Sequence, residues 1–574
     1  MVNVKNLFGM AVMATALVGC ASNDDITPNG NENEGNKVGT AYASFKINLP
    51  TTSGTRAPGD PDGTPEFDHG TAAEYEVKNG TILIFDANTQ KYVTSAELGN
   101  MNPWKDVKTG GVTTEAIATV KLEDVSVTGN YLALVLLNNN TKTADQKVKL
   151  PTNTETTYAE WSKDAKNAIA DKYLSTADGI FMANAPEYKG KSTEPTTLVK
   201  VENICPSPEE AQARTATTIH VERGLAKVTM EDFTSSLYTV ADGTYKDATV
   251  KIENWKLDVT NKSTFPVHQI GGLSTDFTDI WKTGRFYDNQ TSSSFHRVYW
   301  GIDPNYSDNT LYEGKTDPAP GKTALELCKE AFNMINKGEV DGTAGTAQYC
   351  LENTFNLKNM KQGQTTRVVF KAKFIPKDFT AAQTFYKIGN NTAIWKEDDL
   401  KKQIHTVAVT VMGISDATEQ ANYEVKLDAA SNKISGEAGQ HTIKKENIVY
   451  KGTGTSKVDA NIDKINEKLG LTDAVGISTY LNGEAYYIAR IKHFNKLTDW
   501  SAGQSYGTDN VSFLGRYGVL RNNWYSLSVN SVSGLGYPDV PEVKPIVPDD
   551  ENDLYINVEV KILDWAKRTQ QVDL

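Results

Sequence analysis

The sequence predicts a mainly β chain: two tandem β-sandwich domains with a few short helices, followed by one strand appended at the carboxy end. Three observations carry this. Thr81–Phe85 and Tyr131–Leu137 are short apolar runs bounded by Asn and Gly, suited to a sandwich core. Period-two alternation recurs over 117–127, 218–230, 248–259, 367–374, 406–412 and 523–532, the mark of half-buried strands. Helical patterning is confined to 159–173, 323–337 and 459–469, the last stopped by Gly470. Many short strands and few helices favour sandwiches. At 574 residues the chain exceeds one core. A new strand series after Glu231-Asp232 places a boundary near 232, giving domains over 57–232 and 233–536. The sequence shows no repeat of fixed period.

Taken in order, the first element is a targeting segment over 1–19. Lys5 supplies its positive start, Leu7–Val18 its apolar core, and Leu17-Val-Gly-Cys20 resembles a bacterial lipobox. Lipid on Cys20 would tether the chain to a membrane without spanning it. Residues 21–40 are polar and Gly/Asn-rich, as a flexible tether is. An alternating strand follows, with Ala43, Phe45, Ile47 and Leu49 on one face, and it stops at Pro50. The next loop, 51–63, is rich in Gly and Pro, and Arg56 is its single basic residue. Exposed loops of this composition are where proteases cut. At the far end, 537–553 holds four prolines and the charge run Asp549-Asp550-Glu551, and reads as an extended, unpacked spacer. Beyond it Leu554, Ile556, Val558, Val560 and Ile562 alternate with Tyr555, Asn557, Glu559 and Lys561. This is a strong strand with no evident home in its own chain. It either folds back onto its own sheet or is given to another molecule. After Ile562 the apolar phase shifts to Leu563 and Trp565, as at a bulge.

Composition excludes several functions. A net charge of −13 with no compensating basic cluster disfavours nucleic acid, because phosphate repels such a surface. After residue 20 no apolar run approaches the ~20 residues a membrane-spanning helix needs. Cys205, Cys328 and Cys350 are an odd set, which argues against a disulfide framework, although a Cys328–Cys350 bridge stays open. Gly503-Gln-Ser505-Tyr-Gly507 matches a nucleophile elbow. It lacks the flanking strand and helix, and no histidine follows it, His493 being the last. No histidine pair has metal-ligand spacing, and Asp60-Pro-Asp62-Gly lacks the later ligands of a calcium loop. No catalytic residue, metal ligand or cofactor site is expected. The abundant Tyr and Trp fit sandwich cores better than sugar platforms.

Five segments taken together resemble the fimbrillins of Bacteroidetes-type bacteria, the subunits of type V pili, and among them the minor-fimbrium stalk subunits. They are Leu17-Val-Gly-Cys20, Thr55-Arg56-Ala57, and Val221-Glu-Arg-Gly-Leu-Ala-Lys-Val228. The others are Val519-Leu-Arg-Asn-Asn-Trp-Tyr525-Ser-Leu-Ser-Val529 with Gly534-Leu-Gly-Tyr-Pro538, and the ending Val558-Glu-Val-Lys-Ile-Leu-Asp-Trp565 with Val572-Asp-Leu574. The resemblance implies transthyretin-like sandwiches and a chain exported as an outer-membrane lipoprotein. It also implies cleavage at Arg56–Ala57 by an Arg-specific, trypsin-like protease, which removes a lipidated propeptide over 20–56. The tail 554–574 would then act as donor strand, refilling the slot left by that propeptide in the next copy. The implied partners are copies of the same chain and anchor and tip subunits, and the implied place is a cell-surface fimbrium supporting adhesion and biofilm. Two other readings stay open: a tip or anchor adhesin, and a monomeric surface lipoprotein that binds glycans.

Overall fold

The computed structural model describes residues 39–50, 70–99, 105–106, 112–139, 147–164, 169–170, 176–187, 195–271, 298, 300–306, 322–429, 432–436, 439–493, 513–549 and 556–563, the last by backbone alone. The architecture is mainly β. One large sheet is built, in spatial order, from Tyr92–Glu97, Gly80–Asp86, Tyr131–Leu137, Met182–Asn184, Thr217–Arg223, Gly39–Pro50, Val112–Val125 and Lys105–Asp106. Its ends curl together, so that Tyr92–Glu97 meets Val112–Val125. The enclosed core takes alternate residues of each strand, among them Ile82, Ile84, Val120, Val135, Leu137 and Ile219. Leu83, Phe85, Leu134 and Leu136 are buried on the opposite face with Trp161 and Phe181. Burial on both faces is why Thr81–Phe85 and Tyr131–Leu137 are apolar throughout.

A second pair of sheets forms a sandwich. One holds Gln348–Cys350, Ala226–Met230, Trp524–Val532 and Ile556–Leu563; the other holds Tyr238–Thr239, Thr249–Asp258, Arg367–Ile375 and Glu484–Arg490. Between them lie Val228, Ile252, Trp255, Phe370, Phe374, Tyr487, Tyr525 and Leu527. Inward residues at every second position give these strands their alternation. The stretch read as one alternation over 218–230 is two strands in different sheets, broken at Gly224-Leu225. The crossing between sheets therefore falls ahead of the expected 232. The apolar phase changes at the break: Ile219 and Val221 fill the first core, and Ala226, Val228 and Met230 fill the second.

Three further corrections are local. Thr406–Met412 is not a strand: Glu397–Val411 is a helix. Its buried residues Leu400, Ile404 and Ala408 recur at helical spacing, and Glu397, Asp398 and Asp399 meet the positive end of its dipole. The alternation of Val407, Val409 and Val411 with Thr406, Ala408 and Thr410 is overridden by packing against Ile465 and Leu469 of helix Ile462–Leu469. These helices and the short strands around them form a third core between Arg367–Ile375 and Glu484–Arg490 in the chain, a layer the sequence did not announce. The expected helices over 159–173 and 323–337 are shorter, at Tyr158–Lys163 and Ala324–Ala331, each opened by a capping box. Cys205, Cys328 and Cys350 are buried and unbridged.

The segment 537–549 is not an unpacked spacer. Tyr537 and Tyr486 exchange backbone hydrogen bonds of 2.8 Å. Arg367 Nη2 donates to the Pro541 carbonyl (2.6 Å), and the Gln362 N–H donates to that of Val547 (2.9 Å). Val543 is buried against Val259 and Phe332. Fixed proline φ angles make an extended path cheap to dock, because little chain entropy remains to be lost.

Candidate functional site

The two terminal strands occupy different places in their sheets. Gly39–Pro50 lies inside the first sheet. On one side it runs antiparallel to Val112–Val125 over eleven register pairs, with Phe45 opposite Ala118 and Ile47 opposite Ala116. On the other it runs parallel to Thr217–Arg223, from Phe45 opposite Thr217 to Asn48 opposite His220. Tyr42 and Cys205 exchange two more backbone hydrogen bonds of 2.8 Å. Ala41, Ala43, Phe45, Ile47 and Leu49 are fully buried in the core. Ser44 and Asn48 on the other face are buried too, and Ser44 Oγ donates to the Ala211 carbonyl (2.8 Å) on helix Pro208–Ala213. Burying Phe45, Ile47 and Leu49 is worth ~1.5–3 kcal/mol each. Taking the strand away would also strip backbone partners from both neighbours.

The tail strand Ile556–Leu563 pairs on one side only. It runs antiparallel to Trp524–Val532 of its own chain, from Trp524 opposite Leu563 to Val532 opposite Ile556, with a register shift between Val529 and Ser531. The reading of a strand without a home in its own chain is corrected here. A bare Trp524–Val532 edge would leave a row of unpaired N–H and C=O groups, and the chain's own tail covers it. Ile562, Val560, Val558 and Ile556 fall opposite Tyr525, Leu527, Val529 and Val532. The expected residues Cys20, Arg56, Ala57, Leu554 and Trp565 lie outside the described residues.

Between the two sheets sits a buried polar joint that the sequence reading did not assign. Lys227 Nζ is 2.7 Å from Glu74 Oε1 and 3.7 Å from the centroid of the Trp524 ring. Tyr349 OH donates to Glu74 (2.6 Å), as does the Thr71 N–H (2.7 Å). Arg223 Nε donates to the Glu74 carbonyl (2.8 Å) and its Nη1 to Asn522 Oδ1 (3.3 Å). Burial pushes the Glu74 carboxyl up, but hydrogen bonds from Lys227, Tyr349 and Thr71 outweigh it and hold the group below its ordinary value. Alongside, Arg521 pairs with Glu352 (3.2 Å) and His268 Nδ1 meets Glu222 (2.9 Å), all four side chains buried. The blocks Val221–Val228 and Val519–Val529 thus converge at one place. Their Arg, Glu, Lys and Asn residues so close to strand cores were the available signal. Buried charges are tolerated only when paired, so such residues imply a fixed joint. Among the described residues no group of three or more His, Cys, Asp or Glu is placed to hold a metal ion.

The sequence over 478–571 matches the family described as major fimbrial subunit protein type IV, fimbrillin, C-terminal. The carboxy-terminal region of this chain is fimbrillin-type. The fimbrillin-type span contains the Val519–Val529 block and the tail strand, and Val572–Leu574 lies just beyond it. No curated protein matches the sequence. Among solved structures, the chain is similar to a protein from Parabacteroides distasonis described as a candidate cell adhesion protein. The identity there is 10%, covering 93% of this chain and 100% of that one, with a TM-score of 0.37. It is also similar to a fimbrial assembly protein from the same organism (12% identity, 59% and 87% covered, TM-score 0.27). A third is the tip fimbrial protein Mfa3 from Porphyromonas gingivalis (11% identity, 91% and 100% covered, TM-score 0.28). Likeness at this level is too slight to carry function from those proteins to this one.

Proposed function

We propose that this chain is the stalk subunit of a surface fimbrium. It is exported as a lipoprotein through Cys20, cut at Arg56–Ala57, and polymerised head-to-tail by giving its tail to the next copy. The observation that supports this most is the place of Gly39–Pro50. It is held between two neighbours with five apolar side chains fully buried, and it lies ahead of Arg56 in the chain. Cleavage there frees the strand from the rest of the chain. Its departure leaves a slot with bare backbone and apolar pockets. The tail offers five apolar residues at the same period-two spacing, Leu554 to Ile562. Head-to-tail contact is heterologous and does not close on itself, so filaments follow. A tip subunit has no use for a donated tail. Slow release then holds each joint, beyond its equilibrium affinity.

A second reading is favoured by the tail's pairing with its own sheet: a monomeric surface lipoprotein that binds glycans. One experiment separates the two. The full chain is treated with trypsin and run in SDS beside a chain ending at Glu551. The stalk reading expects a resistant ladder from the first and monomer from the second. Monomer from both, under every condition, overturns it.

A further inference from the structure

The path of 537–549 limits how far the tail can travel. Its pins, among the described residues, lie on strands of the second sandwich and on the segments that connect them. Arg367, locked to Asp258 in a buried pair at 2.8 Å, holds the Pro541 carbonyl. Asp549, fully buried, accepts from Thr365 Oγ1 (2.9 Å), and its N–H donates to the Met360 carbonyl (3.2 Å). Lys361 and Pro548 form a further bridge. A tail leaving its own sheet therefore starts from Asp549. The steps from Asp549 to Ile556 span at most about 25 Å when fully extended, against about 70 Å from Tyr537 were the segment free. A unit of roughly 180 residues has a radius of gyration of about 16 Å, so a slot inside it can be reached over 25 Å only if the two surfaces touch.

We infer that successive copies pack directly: the acceptor's first sheet rests on the donor's surface around Ile546, with Asp549 and Arg367 as positioning residues that fix the launch point. This rests on the stalk-subunit reading. Ile546, in the docked segment and near its end, is 62% exposed, one of few large apolar side chains left in water among the described residues. Another is Ile117, 64% exposed on Val112–Val125, the strand that borders the slot. Scattered apolar residues carry no weight alone. Here one stands at the root of the tail and one on the rim of its proposed receptor. The result is a stiff rod of touching subunits, not beads on a string.

The test compares trypsin-treated full chains by negative-stain microscopy and by the SDS ladder. One is unmodified, one carries a flexible Gly/Ser insertion of about twelve residues after Asp549, a length that restores the reach of a free spacer, and one carries Ile546→Glu. Direct packing expects a single axial repeat and straight filaments from the first, and a longer, variable repeat with several-fold lower persistence length from the second. The third should build its ladder about tenfold more slowly. A repeat and stiffness unchanged by the insertion, with Ile546→Glu assembling at the unmodified rate, overturn the inference while leaving the stalk reading intact. No ladder from the unmodified chain overturns the stalk reading itself.

Discussion

Gly39–Pro50 and Ile556–Leu563 share one sequence pattern and differ in everything the sheet does with it. The first is flanked on both sides, and its apolar residues are sealed in a core. The second has one neighbour and closes the rim of a sheet. An interior strand is part of the cooperative unit and leaves only when the chain is cut and the unit yields. A rim strand opens locally, at a fraction of the global free energy. On the stalk reading proposed above, the two strands would take opposite parts: the amino-terminal strand would mark the slot, and the tail would be the half that is exchanged.

The largest expected effect is on the slot. Phe45→Ala in the uncut chain should cost about 3–5 kcal/mol, read as a fall in melting temperature, because it empties a sealed core. A loss under ~1 kcal/mol would break the comparison. Lys227→Met tests whether the joint holds the two sheets in register. Leaving Glu74 buried without its ammonium should cost about 3–5 kcal/mol, and the double change Glu74→Gln with Lys227→Met should cost less than Lys227→Met alone. A double variant worse than the single would deny the pairing. On the tail, Val560→Asp should cost only ~1–2 kcal/mol and raise hydrogen exchange at 556–563 while 41–49 stays protected. Equal losses at Phe45 and Val560 would make the tail part of its own core and remove its candidacy as donor.

The smallest effect is a pH trend centred on Asp303. Asp303 is wholly buried, and burial pushes its carboxyl up to about 7. The N–H donors of Thr354 and Asn305 and the Asn261 amide oppose this, and the Glu352 charge adds to it. The folded value lies above the unfolded one, so the folded chain holds this proton where the unfolded chain has lost it. The group's contribution to stability is complete below about pH 4 and is lost as the pH rises to about 7. Asp303→Asn should therefore melt with a flatter pH dependence over that interval than the unmodified chain. Identical slopes would refute the assignment. Glu74, held low, acts in the opposite sense: its contribution is present above the ordinary carboxylate range and fades as the pH falls through its depressed folded value. The difference between the two chains isolates Asp303 from it.

Much of the fold was written locally. The alternation at 43–49 and 556–562 and the apolar runs at 81–85 and 131–137 each follow from side chains alternating across a pleat, and the structure has strands there. The Val221–Val228 and Val519–Val529 blocks stood out by their resemblance to fimbrillins, yet nothing local said that they meet. Asn522 lies 299 residues from Arg223, and only the fold brings them together. Thr406–Met412 misled for the same reason. Its β-branched residues favour a strand weakly, and packing by Leu400, Ile404 and Ala408 against a distant helix decides for a helix. The docked 537–549 segment was hidden because prolines describe an extended backbone and not what it lies against.

By itself the sequence determined that both ends of this chain make strands, which residues share a face, and which class of protein the carboxy-terminal region resembles. Tertiary structure alone decided that one strand lies between two neighbours and the other at a rim, that the expected spacer is pinned over 537–549, and that paired charges form the joint between sheets. The division has a physical cause. Period and polarity are set by residues a few positions apart, whereas neighbour, depth and partner are set by contacts between residues hundreds of positions apart, which no local pattern encodes.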